Sequence, residues 1–326
     1  MSTILRWGLL STARINHALI PPLNASKRTR LLAVASRSQS AAAAYAREWN
    51  IPRAHGSYEA LLADPEIDVI YNPLPNNMHA EWTIKALKAG KHVLCEKPLA
   101  LSLEEVDAMS AAARETGKVL AEAFMYRHHP QTLKVKEIVD SGTLGKLQLI
   151  KGAFTFKLTR QGDYRLIKEA GGGSIWDVGC YPISYARMIV GMEPLEVFGW
   201  QISGGGGADE TFVGQLLFPG DVYAQFDSGF RSPFRAFIEI VGSEGTLNAP
   251  VPFKPDRNEK IYLARGARVE TIKTPGQELY LGEVEDICDA ILLGKPPRLS
   301  LADSRGNTAA LLALLESARS GKPVLL

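Results

Sequence analysis

Apolar and polar positions divide the 326-residue chain into two halves with different periods. In the first half, continuous apolar runs alternate with segments of helical spacing. "TILRWGLL" (3–10), "LLAVAS" (31–36), "IDVIYNPL" (67–74), "KHVLCEKP" (91–98) and "KVLAEAFM" (118–125) read as strands, the most continuously apolar of them buried on both faces. Between them the spacing predicts helices over 12–20, ended by Pro21-Pro22, over 40–49, over 78–89, stopped at Gly90, and from Ser102 to Thr116, stopped at Gly117. Ser102 and Glu105 form an S-x-x-E capping box for the last of these. Strand–helix alternation with short links predicts a doubly wound parallel sheet.

From Lys146 onward the period becomes two, as in "KLQLIKGAFTF" (146–156), "LEVFGWQI" (195–202), "ETFVGQLLF" (210–218), "VYAQFDSGF" (222–230) and "RAFIEIVG" (235–242). That pattern predicts a large, mostly antiparallel sheet with one face covered by helices over 175–190, 281–293 and 302–319. "SGGGGADE" (203–210) reads as a hairpin loop, since no helix follows it for a phosphate cradle. The expected fold class is α/β, an N-terminal Rossmann sheet (residues 1–122) followed by an α+β domain with a large open sheet (123–326).

Composition narrows the function classes. The net charge is +2 and no Lys/Arg run marks a nucleic-acid footprint, so no nucleic-acid partner is expected. No apolar segment approaches the roughly 18 residues needed to span a bilayer, so no membrane partner is expected either. Cys95, Cys180 and Cys288 are far apart, which fits a reducing compartment and a cytoplasmic location. The six histidines show no HxH or HxxxH spacing, so no metal site is expected. Seven Lys/Arg precede the first acid, Glu48. Such a segment also resembles a transit peptide, but its alternating strand and helix patterns read as a folded domain.

In a doubly wound sheet, ligands sit outside the carboxyl ends of the strands. The first strand is followed by "LSTARIN", where a G-x-G-x-x-G phosphate turn would fall on Ser11, Ala13 and Asn16, none of them glycine. Gly8 comes too early to serve. Backbone N–H groups of Ser11, Thr12, Ala13, Arg14 and Ile15 at a helix N-terminus still suit a diphosphate, with the Ser11 or Thr12 hydroxyl assisting. After the second strand come Ser36 and Arg37 with no acid nearby, the pattern that accommodates a 2′-phosphate. NADP is therefore expected over NAD.

"CEKPLA" (95–100), "EAFMYRHHPQ" (122–131) and "EAGGGSIWDVGCYPI" (169–183) together resemble the Gfo/Idh/MocA family of NAD(P)-dependent oxidoreductases, in the branch of dihydrodiol dehydrogenases, NADP-dependent aldose dehydrogenases and glucose-fructose oxidoreductase. The resemblance covers essentially the whole chain. It implies Lys97 as the catalytic lysine, with Asp177 and Tyr181 in the positions of the family's acid and His/Tyr pair. It further implies cofactor contacts from Pro73, Leu74, Pro75, Asn76, His79, Glu96 and Arg127, and substrate contacts from Phe124, Tyr126 and Arg165. Arg160, Asp163 and Arg165 are expected to wall the pocket. This chain departs from many members in the missing glycines and at Ser184, where they carry an acid.

The chemistry is consistent with that pattern. A tyrosine titrates near 10 in isolation and needs a cation to act as a base at neutral pH, which a lysine supplies. The resemblance implies hydride transfer between NADP and a sugar or related polyol, in a homodimer or higher oligomer. The alternatives are a sugar-nucleotide ketoreductase and a non-catalytic, NADP-sensing regulatory protein.

Overall fold

The computed structural model describes residues 4–160 and 162–326. Thr3, where the first strand was expected to begin, and Gln161, in the expected pocket wall, lie outside the described residues. The chain forms two compact units, one running to His128 and including Tyr280–Arg305, the other His129–Leu279 with Gly306–Leu326. A single cut after residue 122 does not provide for the return of Tyr280–Arg305 to the first unit.

The first unit begins β1 (Leu5–Leu10), α1 (Asn16–Ala25), β2 (Thr29–Ala35), α2 (Gln39–Glu48), β3 (Arg53–His55), α3 (Tyr58–Leu62), β4 (Val69–Asn72), α4 (His79–Lys88), β5 (His92–Glu96), α5 (Leu103–Thr116) and β6 (Leu120–Ala123). Its strands lie parallel in the order β3-β2-β1-β4-β5-β6. The apolar runs are buried throughout β4, and a core of Leu32, Ile70, Val93, Val106 and Leu120 fills the space between sheet and helices. Ser102 caps α5 by accepting the Glu105 N–H at 3.2 Å, and the Glu105 carboxylate turns back to the Leu101 N–H at 2.9 Å. The helix stops at Gly117, at φ 65°.

One expectation fails in α1, which continues through Pro21 and Pro22 instead of ending there. Each proline deletes one helical N–H donor. The helix still runs to Ala25 and is closed by the Ser26 N–H on the Pro22 carbonyl at 3.0 Å, and burial of Leu19, Ile20, Pro22 and Leu23 offsets the loss. The short β3 and α3 carry no clear period and escape the pattern reading.

The second unit contains α6 (Pro130–Asp140), β7 (Leu147–Thr155), α7 (Cys180–Val190), β8 (Glu196–Ser203), β9 (Asp209–Phe218), β10 (Val222–Gly229), β11 (Arg235–Gly242), β12 (Thr246–Ala249), β13 (Lys260–Arg265) and β14 (Arg268–Lys273). α8 (Leu281–Leu293) belongs to the first unit, the division falls within α9 (Leu301–Ser320), and β15 (Val324–Leu325) closes the chain. The sheet order is β14-β13-β12-β11-β7-β10-β9-β8-β15, antiparallel except for the pairing of β7 with β10. The period-two pattern had predicted this sheet; α6 and the strands from β12 onward were not read from it.

Gly8 is a packing residue of β1, since a Cβ there would lie 2.9 Å from Leu61 Cδ1. The turn that follows reaches a glycine-like conformation without glycine: Ser11 sits at φ 100°. Its N–H reaches the Ala35 carbonyl at 3.1 Å, and the buried Asn16 side chain donates to its carbonyl at 2.9 Å. Such a backbone costs a residue with a Cβ about 1–3 kcal/mol. Replacing Ser11 with glycine is predicted to raise the stability of the protein by about 1 kcal/mol after the added freedom of the unfolded chain is subtracted. A urea titration checks it; an unchanged or lower midpoint would show that the turn stores no strain.

Candidate active site

The first sheet reverses its strand order between β1 and β4, so the crevice for a ligand opens at the carboxyl ends of those strands. The turn leaving β1 meets this crevice. The backbone N–H groups of Thr12, Ala13, Arg14 and Ile15 donate to no acceptor among the described residues. Ser11 Oγ is buried there without a hydrogen-bond partner among the same residues. No acid occupies the first turn of α1. An electropositive helix start with spare donors and an orphaned hydroxyl fits a diphosphate, although the glycines are gone.

At the end of β2, the Ser36 N–H is held by the His55 carbonyl at 3.0 Å. Arg37 is exposed and forms no ion pair among the described residues. At the end of β4, the fully buried Asn72 donates to the His79 carbonyl at 3.2 Å and to Thr83 Oγ1 at 3.1 Å, and accepts the Leu74 N–H at 3.3 Å. It thereby shapes the loop of Pro73, Leu74, Pro75 and Asn76.

His79 is placed otherwise than as a direct cofactor contact. It is fully buried, and its Nδ1 and Nε2 lie 2.8 Å from the carbonyls of Pro98 and Leu74 respectively. Burial lowers its pKa to about 4, against the pull of the two carbonyls and with the help of Lys97. The neutral ring donates to one carbonyl at a time. Its visible task is to join the loop after β4 to the loop after β5.

That second loop carries Glu96 and Lys97, followed by a cis Lys97–Pro98 bond. The Tyr71 hydroxyl donates to Glu96 Oε1 at 2.5 Å, and Glu96 Oε2 accepts the Lys97 N–H at 3.3 Å. Burial, then the Glu96 charge, pushes the Tyr71 pKa well above the ordinary tyrosine value, so the hydroxyl stays a donor. Glu122, at the end of β6, accepts the Leu99 N–H at 2.9 Å. Beyond it Phe124 and Tyr126 meet edge to face with ring centres 5.4 Å apart, while Arg127 is buried and pairs with Asp303 at 2.7 Å. A groove of about 630 Å³ in the same unit is lined by Val119 and Leu120 at the amino end of β6. That is the wrong edge of the sheet for this chemistry.

In the second unit, "GGGSIWDVGCY" forms a loop, one wide π-type turn over Ile175–Gly179, and the start of α7. Gly172 is required where it stands, because a Cβ would come within 2.6 Å of the carbonyls of Tyr164, Arg165 and Ile167. Asp209 anchors the segment, accepting Ser174 Oγ at 2.6 Å and the Ile175 N–H at 2.9 Å. The turn presents Asp177 to Arg165, whose Nε donates to it at 2.8 Å. Asp163 lies 3.3 Å from the same guanidinium. Tyr181 is buried one turn on, edge to face with Phe154 at 5.2 Å and tilted against Phe253 at 5.5 Å. Ser184 follows on the same helix, also buried.

The structure therefore gathers two groups of the expected residues. One holds the β1 turn, the β4 loop and the Lys97 loop; the other holds Arg165, Asp177 and Tyr181. Tyr71, Asn72, Glu122 and Asp209 were not singled out from sequence. Their signal was a polar residue embedded in an apolar run, or an acid opening one. Among the described residues no cluster of His, Cys, Asp and Glu could hold a metal ion, and no helix is long and apolar enough to cross a membrane.

Comparison with known proteins agrees with this arrangement. Residues 5–124 match the oxidoreductase family with NAD-binding Rossmann fold, and residues 132–248 match the GFO/IDH/MocA C-terminal domain. The chain is 36% identical to D-xylose 1-dehydrogenase (NADP(+)) 2 of Haloferax volcanii over 98% of both chains. It is 34% identical to trans-1,2-dihydrobenzene-1,2-diol dehydrogenase of Danio rerio, covering 76% of this chain and 74% of the relative. A 3-ketoreductase from Actinomadura kijaniata, solved with NADP and TDP-benzene, superposes with a TM-score of 0.92 at 30% identity over 97% of this chain and 98% of that one. With a nucleotide-type crevice at one sheet edge and both halves matched, the chain belongs to the Gfo/Idh/MocA family of oxidoreductases.

Proposed function

We propose that the chain is an NADP-dependent dehydrogenase or reductase acting on a sugar or related polyol, with Lys97 and Tyr181 as its acid–base pair. The observation that carries this reading is the turn at Ser11. It combines a positive-φ backbone with unengaged N–H donors at the point of strand reversal, where the diphosphate of a dinucleotide would bind. The relatives point the same way, since one carries NADP(+) in its name and another was solved with NADP. Arg37 would meet the 2′-phosphate of the cofactor and so favour NADP over NAD.

When bound, the nicotinamide supplies the acceptor or donor of hydride. In the oxidative direction Tyr181 takes the hydroxyl proton, helped by the Lys97 ammonium, which favours the tyrosinate and donates to the substrate oxygen. In the reductive direction Lys97 polarises the carbonyl and Tyr181 returns the proton. Asp177 orients a substrate hydroxyl. Arg165 already faces Asp163 and Asp177, so its charge is spent on this chain's own carboxylates. That supports a neutral polyol over the sugar nucleotides taken by deoxysugar ketoreductases.

The second unit also offers a partner surface. Trp200, Ile202, Val213 and Tyr223 are each 43–56% exposed on one face of its sheet, beside the Arg235–Asp227 and Lys151–Glu239 pairs. Large apolar side chains grouped on one exposed face suit a protein contact, and the paired charges beside them meet a second copy of the chain without repulsion. We place the homodimer contact there.

Three outcomes check the reading. On an aldose, diol or ketosugar that supports turnover, Lys97→Ala and Tyr181→Phe should each lower kcat by about 10²–10⁴-fold while NADP binding is retained; full activity in both would remove the assignment. Arg37→Ala should weaken NADPH by about 10–100-fold and leave NADH nearly unchanged, the loss of one charge-assisted contact. Equal effects on both would move the phosphate site elsewhere. By light scattering, Trp200→Glu should convert a dimer to a monomer; a dimer that survives the substitution would put the contact on another face.

A further inference from the structure

The loop that carries Lys97 is fastened from several directions, and each fastening uses a side chain from a different element. Tyr71 on β4 holds Glu96 at 2.5 Å, His79 on α4 lies 2.8 Å from the Pro98 carbonyl, and Glu122 on β6 holds the Leu99 N–H at 2.9 Å. The Tyr71 hydroxyl and the neutral His79 ring do not change charge near neutral pH. Glu122 differs from them because it is a carboxyl group buried behind the loop, only 3% exposed.

We propose that Glu122 is a positioning residue for Lys97: its carboxylate fixes the loop through the Leu99 N–H, and its protonation state sets where the lysine side chain stands. The inference rests on the reading of Lys97 as the catalytic lysine. Glu122 Oε1 accepts the Leu99 N–H at 2.9 Å. Around the group stand Ser304 and Asp303 of α9, Arg127 beyond β6, and the neutral Cys95 of β5. Burial raises the Glu122 pKa to about 7; the Ser304 and Leu99 hydrogen bonds and Arg127 pull it down, and Asp303 pushes it up.

The sign follows from those neighbours. Above neutrality Glu122 is ionised and the charge-assisted bond to Leu99 is at full strength. As pH falls through about 7 the carboxyl is protonated, a weaker acceptor, and the loop loosens. His79 and His128 are held by burial at about 4 and about 3, so their titrations fall well below this step.

The test reads the lysine itself and needs no substrate. Lysines of the full-length protein are reductively methylated with ¹³C-formaldehyde, and the Lys97 resonance is assigned as the one missing in Lys97→Arg. Its shift is followed across the pH range in wild type, Glu122→Gln and Glu122→Ala, with amide exchange at Leu99 measured in parallel. Wild type should show an inflection near pH 7. Glu122→Gln, which keeps an acceptor oxygen, should lose that inflection while protecting the Leu99 amide at all pH values. Glu122→Ala should exchange that amide at least about tenfold faster, or fail to fold, in which case Glu122→Gln alone decides. An inflection near neutrality that persists in Glu122→Gln would overturn the proposal, as would its absence from wild type. Should Lys97→Ala prove fully active, the catalytic reading fails on its own evidence, whatever the resonance does.

Discussion

Buried backbone groups must find partners, and at the carboxyl edge of the first sheet this requirement shapes everything else. The loops leaving β4 and β5 have no ladder to satisfy them. Their N–H and carbonyl groups are taken up by Asn72, His79 and Glu122, buried side chains on the elements behind, and by the half-buried Glu96, which the buried Tyr71 holds. A network of this kind is satisfied in one geometry only, and partial satisfaction is costly. The rigidity that Lys97 needs therefore comes from its neighbours, since the lysine side chain itself is long and flexible.

The β1 turn obeys the same logic with a different solution. Glycine would adopt φ 100° without strain, yet Ser11 is held there by the Ala35 carbonyl and by Asn16, which stands in the third glycine position of the usual frame. The fully buried Asn16 side chain replaces the close helix–strand contact that glycine allows with a hydrogen bond to the turn it follows. The strained residue lies where a ligand would approach, which is where stored strain is most often found.

Much of this was legible in the sequence. Continuous apolar runs named the parallel strands, the period of two named the second sheet, and the capping box at Ser102 named the start of α5. The sites of Lys97, Asp177 and Tyr181 came from resemblance to a family, whose membership the whole-length matches establish. What escaped was long-range. Nothing in the run "LLSTARIN" announces that Asn16 will reach back to Ser11, and nothing local announces that Asp209 will hold Ser174. The return of Tyr280–Arg305 to the first unit was equally invisible, because a helix of ordinary amphipathic pattern does not declare which core it joins. Pro21 and Pro22 misled for the opposite reason: a strong local rule was overridden by tertiary burial.

The central claim is direct hydride transfer between a polyol carbon and bound NADP. It is tested most directly by incubating the protein with NADP and aldoses or diols deuterated at the carbinol carbon, then examining the nicotinamide by mass spectrometry. The account predicts deuterium in the reduced cofactor, with one substrate class far ahead of the others. Tight binding of NADP with no deuterium transferred from any aldose, diol or, in the reverse direction, to any ketosugar would contradict it.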